Sequence, residues 1–186
     1  MTGVGMTEGG RIRLRTGHTG ELGPDVLGAA RALLFDVFDD MTDDDWEHSL
    51  GGMHALVWEG DELIGHAALI QRRLMHGGRA LRTGYVEGVG VRADRRRRGH
   101  GGLMMDALER ITRRAYALGA LGASDEGAAL YTSRGWLRWR GRCSALTPDG
   151  IKRTEGDEGG IYVLPVATPL DLDGELTCDW RDGDVW

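Results

Sequence analysis

The chain has 186 residues, 41% of them hydrophobic and 28% charged, which suits one buried core and leaves too little length for two comfortable domains. A net charge of −6 and a pI near 5.5 argue against a nucleic-acid binder, which carries a basic footprint over its whole domain. No apolar run reaches membrane-span length, no apolar signal region opens the chain, and Cys143 and Cys178 lack metal-ligand spacing; the expectation is a cytoplasmic protein with reduced thiols, no metal and no membrane or nucleic-acid partner.

Residues 1–10 read as a flexible tail ahead of one domain over 11–186. Residues 11–16 alternate polar and apolar, as an edge strand does. Pro24 stands in the first turn of a helix whose apolar positions Val26, Ala29, Ala30, Leu33, Leu34, Val37 and Phe38 keep helical spacing. Thr42 caps a short second helix with acid in its first turn, ending at Gly51. Turn signals at 59–61 and 76–78 then divide the chain into three antiparallel strands, residues 53–58, 62–74 and 80–92.

An amphipathic helix is expected over 101–118, on Leu103, Met104, Ala107, Leu108, Ile111, Ala115 and Leu118. It is followed by a short strand over 120–124 and a short helix over 125–135 closed by Gly135. Further strands are expected over 136–147 and 159–167, with 148–160 as the longest loop and an aromatic, acidic tail over 176–186. This succession predicts an α/β (mixed α+β) fold: a central, largely antiparallel mixed sheet flanked by helices.

Charge is uneven along the chain. Asp36, Asp39, Asp40, Asp43, Asp44, Asp45 and Glu47 crowd one segment, and from Asp149 onward ten carboxylates oppose only Lys152, Arg153 and Arg181. Any one of these acids is read first as a solvated surface group; two clusters flanking a basic knot suggest two ligands of opposite sign. The knot is Arg95 to Arg98, running into Gly99, His100 and Gly101 at a strand-to-helix junction. Such a junction is an anion site, because first-turn amides lack intrahelical partners and glycine lets a phosphate approach. It is neither a Walker loop nor a dinucleotide fingerprint, since no Gly-Lys-Ser/Thr follows and the glycine order is wrong.

Arg96-Arg97-Arg98-Gly99-His100-Gly101 resembles the coenzyme A motif Gln/Arg-x-x-Gly-x-Gly/Ala of the GCN5-related N-acetyltransferases (GNAT), and "ALYTSRGW" downstream also fits that superfamily. "DWEHSLGGMHAL", "HAALIQR", "GYVEGV", "YALGAL", "LYTSRGW" and "CDWRDGDVW" narrow the likeness to aminoglycoside 2′-N-acetyltransferases. The resemblance implies a GNAT fold splayed at the acetyl-CoA site. Acetyl-CoA would be co-substrate, held by Val89, Gly90, Val91, Arg96, Arg97, Arg98, Gly99, His100 and Gly101, with Arg95 a solvated neighbour. The acceptor would be an aminoglycoside or a similar polycationic amino sugar, and the assembly a homodimer. A GNAT enzyme acting on another polyamine or amino sugar, such as a cell-wall precursor, is the alternative.

Glu87 lies in an otherwise apolar strand, where an unpaired carboxylate is costly. It is read either as an ion pair with Arg82 or Arg92, or, as the resemblance implies, as the base acting through water. Gly88 and Gly90 permit a bulge that splays this strand. Tyr131 by spacing is a core residue; the resemblance makes it the acid facing the coenzyme sulfur. The resemblance also implies acceptor contacts from Asp40, Glu87, Gly88, Gly122, Gly156, Asp157, Asp184 and Trp186 with its α-carboxylate. Gly122 replaces a serine of the family pattern, which puts acceptor range in question. His48, His54, His66 and His100 have no ligand-like partners in sequence and are read as structural or surface groups.

Overall fold

The computed structural model describes residues 11–186, so the tail expected over residues 1–10 lies outside the described residues. Strand β1 (Ile12–His18) pairs antiparallel with β2 (Met53–Glu59) after helices α1 (Pro24–Val37) and α2 (Asp43–His48). Pro24 occupies the first turn of α1, where its missing N–H costs nothing. Thr42 caps α2 through a reciprocal box: Thr42 N–H donates to Asp45 Oδ2 at 2.8 Å, and Asp45 N–H to Thr42 Oγ1 at 3.3 Å.

Two long strands, β3 (Glu62–His76) and β4 (Arg79–Val91), form the spine of the sheet. Gly77 and Gly78, both at positive φ, make the tight turn between them. Helix α3 (His100–Ala115) follows, then β5 (Leu118–Gly122), α4 (Asp125–Ser133), β6 (Leu137–Arg138), β7 (Cys143–Thr147), β8 (Gly150–Arg153), β9 (Ile161–Pro165) and β10 (Leu176–Cys178). The path across the sheet is β6-β9-β5-β4-β3-β10-β7-β8, with β2 and β1 extending from β3.

Two apolar layers cover the sheet. Met104, Met105, Ala107 and Leu108 of α3 bury against Ala55, Val57, Ile64, Leu69 and Val86, while Ala30 and Leu34 of α1 pack with Trp46 and Leu56. Glu109 of α3, only 4% exposed, accepts from Arg134 Nε at 2.7 Å and Trp136 Nε1 at 3.0 Å, which ties the end of α4 to α3.

Four sequence expectations are corrected. The helix expected to reach 118 ends at Ala115, because Leu118 enters β5 beside Thr83 of β4. The single strand expected over 136–147 is two, because the chain leaves β9 after Trp139. Trp139 N–H still continues the β6–β9 pairing to Ile161 O at 2.8 Å, whereas Arg140 and Gly141 N–H both turn to Leu172 O at 2.9 Å. The loop expected over 148–160 contains β8, hairpinned onto β7, and a 3-10 turn at Glu155–Asp157. The tail contributes β10, which sits inside the sheet between β3 and β7.

Two departures from regularity create the space for a site. β4 pairs with β5 only from Thr83↔Leu118 to Tyr85↔Ala120, so beyond Tyr85 the two parallel strands part. On the other side of β4 the register slips: His66 faces Gly90 and Ala68 faces Glu87, leaving residues 88–89 opposite the single residue Ala67. Gly88 takes φ +54 in this bulge, and a Cβ there would lie 3.0 Å from both Leu34 Cδ1 and Ser49 Oγ.

Candidate active site

A cavity of about 850 Å³ opens where β4 and β5 part. Part of its lining, the basic wall, is the β4–α3 junction, with Val89, Val91, Arg95, Arg96, Arg97, Gly99, His100 and Gly101; another part, the acidic wall, presents Asp40, Asp44, Asp45, Glu87 and Asp184. Tyr131 of α4 and Gly122 at the end of β5 line the same space.

The basic wall is built from backbone first. Gly99 is the N-cap of α3 at φ 85, Arg97 is held at φ 59, and the first α-helical bond of α3 is Leu103 N–H to Gly99 O at 3.0 Å. The amides of His100, Gly101 and Gly102 therefore precede the intrahelical ladder, and the macrodipole favours negative charge beside them. Nothing lies within 4 Å of a Cβ built on Gly99, and only Leu130 Cδ2, at 3.4 Å, meets one on Gly101. These features fit a phosphate-bearing ligand. Arg96 pairs with Glu126, which also lines the cavity, at 3.9 Å. Arg95 is not a solvated neighbour: its guanidinium bonds Glu59 and Asp94 at 2.6 Å each, fastening the junction to the end of β2.

The acidic wall centres on Glu87, whose side chain is 15% exposed. It is paired with Arg181 of the C-terminal segment, neither with Arg82 nor with Arg92; Arg92 is engaged by Glu62 and Asp94. Burial pushes the Glu87 carboxyl up to about 7, against the opposing pull of Arg181. Arg181 also donates to Asp184 O at 2.7 Å and to Trp186 O at 2.6 Å. Trp186 is 5% exposed and donates from Nε1 to Thr154 Oγ1 at 2.8 Å, so this tail is docked. Asp157 is raised above the ordinary carboxylate value by burial and then by the charge of Asp184, which puts those two acids in one field. Tyr131 is 6% exposed, packs against Trp136 and Tyr162, and is pushed up to about 12 by burial.

An acetyltransferase (GNAT) domain family matches residues 27–138. The chain is 51% identical over 174 residues to an aminoglycoside 2′-N-acetyltransferase of Mycolicibacterium fortuitum, covering 91% of this chain and 89% of that protein. The chain belongs to the GNAT acetyltransferase family. Solved GNAT structures share the fold at lower identity. One is an acetyltransferase from Brucella melitensis in complex with acetyl-CoA, with TM-score 0.60 and 13% identity over 89% of this chain and 94% of that one. Another, from Kribbella flavida, has TM-score 0.58 and 20% identity over 71% of this chain, and this chain spans only 34% of its length.

Of the residues singled out in the sequence of this GNAT chain, Glu87, Gly88, Val89, Val91, Arg96, Arg97, Gly99, His100, Gly101, Gly122, Tyr131, Asp40 and Asp184 line the one cavity. Gly90, Arg98, Gly156, Asp157 and Trp186 do not line it; Arg98 and Gly156 are exposed, and Gly90 is buried against Leu34. Asp157 and Trp186 stand behind the acidic wall through Asp184, Thr154 and Arg181. Among the described residues no cluster of three or more His, Cys, Asp or Glu is arranged to hold a metal.

Sequence reading missed Arg181 as a partner of Glu87. The available signal was its isolation: it is the one cation among residues 154–186, in a stretch crowded with acids. It also missed the histidines. His54 and His66 are both fully buried and joined, Nδ1 to Nε2, at 2.9 Å, with His66 Nδ1 2.8 Å from Gly88 O. No pattern in the chain announces a pair separated by a hairpin, since only the register of β2 on β3 brings them together.

Proposed function

We propose that this GNAT enzyme transfers the acetyl group of acetyl-CoA to the 2′-amino group of an aminoglycoside. The observation that carries the reading is one cavity with walls of opposite character. Its lining combines a glycine-rich helix N-terminus with arginines and the carboxylates of Asp40, Glu87 and Asp184. The first suits a pyrophosphate and the second a soluble polycation. The 51% identity to the Mycolicibacterium enzyme is the support for the 2′ position.

In this reading the pyrophosphate rests on the amides of the segment from Arg96 to Gly101, with Arg96 and Arg97 beside it. The pantetheine arm enters where β4 leaves β5, against the backbone of residues 89–91. The amine of the acceptor, held among the carboxylates, loses a proton to Glu87 through water and attacks the thioester carbonyl. With its carboxyl near 7, Glu87 is largely ionised at slightly alkaline pH yet basic enough to take that proton. Collapse of the tetrahedral intermediate expels the coenzyme thiolate, which receives a hydrogen bond or proton from Tyr131. The products are the 2′-acetamide and free coenzyme A.

The test is release of free thiol from acetyl-CoA. Tobramycin or gentamicin, which carry the 2′-amine, should support it, and amikacin, with a 2′-hydroxyl, should not. Equal rates on both kinds of acceptor would refute the regiochemistry and leave a GNAT enzyme of another amine.

A further inference from the structure

Behind the acidic wall lies a chain of hydrogen bonds that the reaction as described does not use. Thr19 Oγ1 lies 2.8 Å from His54 Nε2, His54 Nδ1 lies 2.9 Å from His66 Nε2, and His66 Nδ1 lies 2.8 Å from Gly88 O. It starts in the turn after β1, crosses β2 and β3, and ends on the carbonyl that follows Glu87. Both imidazoles are 0% exposed; the His66 ring lies 6.1 Å from that of Trp46 and 5.2 Å from that of His54.

The direction of every link follows from its end. A carbonyl only accepts, so His66 Nδ1 carries the hydrogen. Burial lowers both histidines to about 4, so each ring is neutral, and His66 Nε2 must then accept from His54 Nδ1–H. His54 Nε2 in turn accepts from the Thr19 hydroxyl, which is itself fed by Gly51 N–H at 2.9 Å. The competing acceptor of that hydroxyl, Gly52 O at 3.3 Å, is already satisfied by Thr19 N–H at 2.9 Å. Because the chain ends on a carbonyl, it cannot relay a proton to Glu87; it can only fix geometry.

What it fixes is the bulge. Slippage of β4 against β3 takes Gly88 out of the ladder register, so its carbonyl lacks the usual paired position, and His66 supplies the donor. We propose that His66, held in its Nδ1–H tautomer by His54 and Thr19, is a positioning residue for acetyl transfer. It pins the Gly88 carbonyl and so sets the direction in which Glu87 and the amides of residues 89–91 leave the sheet. A merely structural pair would need no such polarity, since two apolar side chains of like size would fill the same space without a buried polar group to satisfy.

The inference rests on the catalytic role proposed for Glu87, and its test is read without turnover as well as with it. Nitrogen-detected spectra of the wild-type protein at pH 7.5 should show His54 and His66 both as Nδ1–H tautomers with bare Nε2. Either ring charged, or His66 in the Nε2–H form, overturns the proposal. The titration of the Glu87 carboxyl carbon, followed by NMR, should move by about half a unit or more in His66→Leu and His54→Leu. It should return toward wild type in His66→Asn, whose amide N–H takes the place of Nδ1–H. With an acceptor amine the kcat of the two Leu variants should fall about tenfold, and His66→Asn should recover most of that loss. An unmoved Glu87 titration in the Leu variants, or a His66→Asn protein no better than His66→Leu, overturns the positioning role. Wild-type protein that shows both Nδ1–H tautomers and the expected Glu87 titration but acetylates no aminoglycoside refutes only the substrate reading.

Discussion

Arg181 and Glu87 form an ion pair 94 residues apart in sequence, and the same guanidinium holds the backbone oxygens of Asp184 and Trp186. One side chain thus joins the carboxylate proposed as base to the segment proposed to receive the acceptor. Both partners are 15% exposed, so water screens the pair only weakly.

The pH dependence of kcat/KM follows from that pair. Glu87 sits near 7 because burial raises it more than Arg181 lowers it. A base works ionised, so the rate should rise with pH through about 7 and then level. Removing the arginine as Arg181→Gln takes away the lowering influence, and the acid limb should move to higher pH. Glu87→Gln should abolish the limb and cost on the order of 10²-fold in kcat. A limb that stays in place in Glu87→Gln would assign the base to another group.

Asp184 tests the acidic wall separately from the chemistry. Its side chain lines the cavity, its carboxylate accepts from Trp186 N–H at 3.1 Å, and its charge raises Asp157. Asp184→Asn keeps the shape and removes one charge from the field of a polycation. Steady-state kinetics should show the KM of the aminoglycoside rising about tenfold, which is ~1.4 kcal/mol, with the KM of acetyl-CoA within about twofold of wild type. Parallel rises in both would make the tail a structural prop for the whole cavity. The same substitution should lower the carboxyl of Asp157 toward its ordinary value.

Much of this architecture was legible in the chain because it is local. Helix starts at Pro24 and Thr42, the glycine turn at 77–78 and the glycine pair 99 and 101 act through neighbours in sequence, and each took the place expected of it. What escaped depends on pairing across distance. The break at residues 139–142 follows from Leu172 O, and the strand at 176–178 from two neighbours more than 30 residues away. Burial in an apolar strand read Glu87 as paired with Arg82 or Arg92 and the family resemblance read it as the base, yet the true partner lay out of reach, because only the docked tail delivers Arg181 to it. The histidine chain likewise depends on strand register.

The two motif glycines should fail in different ways. Gly99 holds φ 85 with open space around a would-be Cβ, so Gly99→Ala pays backbone strain alone and should lower stability by ~1–2 kcal/mol in denaturant titration. Gly101 is helical, and a Cβ there makes only an ordinary contact with Leu130. Gly101→Val should therefore leave the melting temperature within a few degrees while raising the KM of acetyl-CoA tenfold or more, because the branched side chain obstructs the approach to the α3 amides. An unaltered KM would move the phosphate site away from this turn.

Tyr131 separates a packing role from a chemical one. Its ring lies 6.1 Å from that of Trp136 and 6.4 Å from that of Tyr162, which is reason enough for a tyrosine or a phenylalanine at that position. Its hydroxyl, raised to about 12, keeps its proton across any assayable pH. A thiol ionises near ~8.5, so full transfer of that proton to the departing thiolate is uphill, and the favourable part is a hydrogen bond to the growing charge. Hydrogen bonds to charged groups are worth ~1.5–3 kcal/mol, which sets the loss in Tyr131→Phe at about 10- to 150-fold in kcat. The KM of acetyl-CoA, the melting temperature and the acid limb near pH 7 should all stay where they are, and no basic limb below pH ~10 should belong to this residue in the wild type. A Tyr131→Phe enzyme with unchanged kcat would return Tyr131 to the core and leave the thiolate to depart unaided.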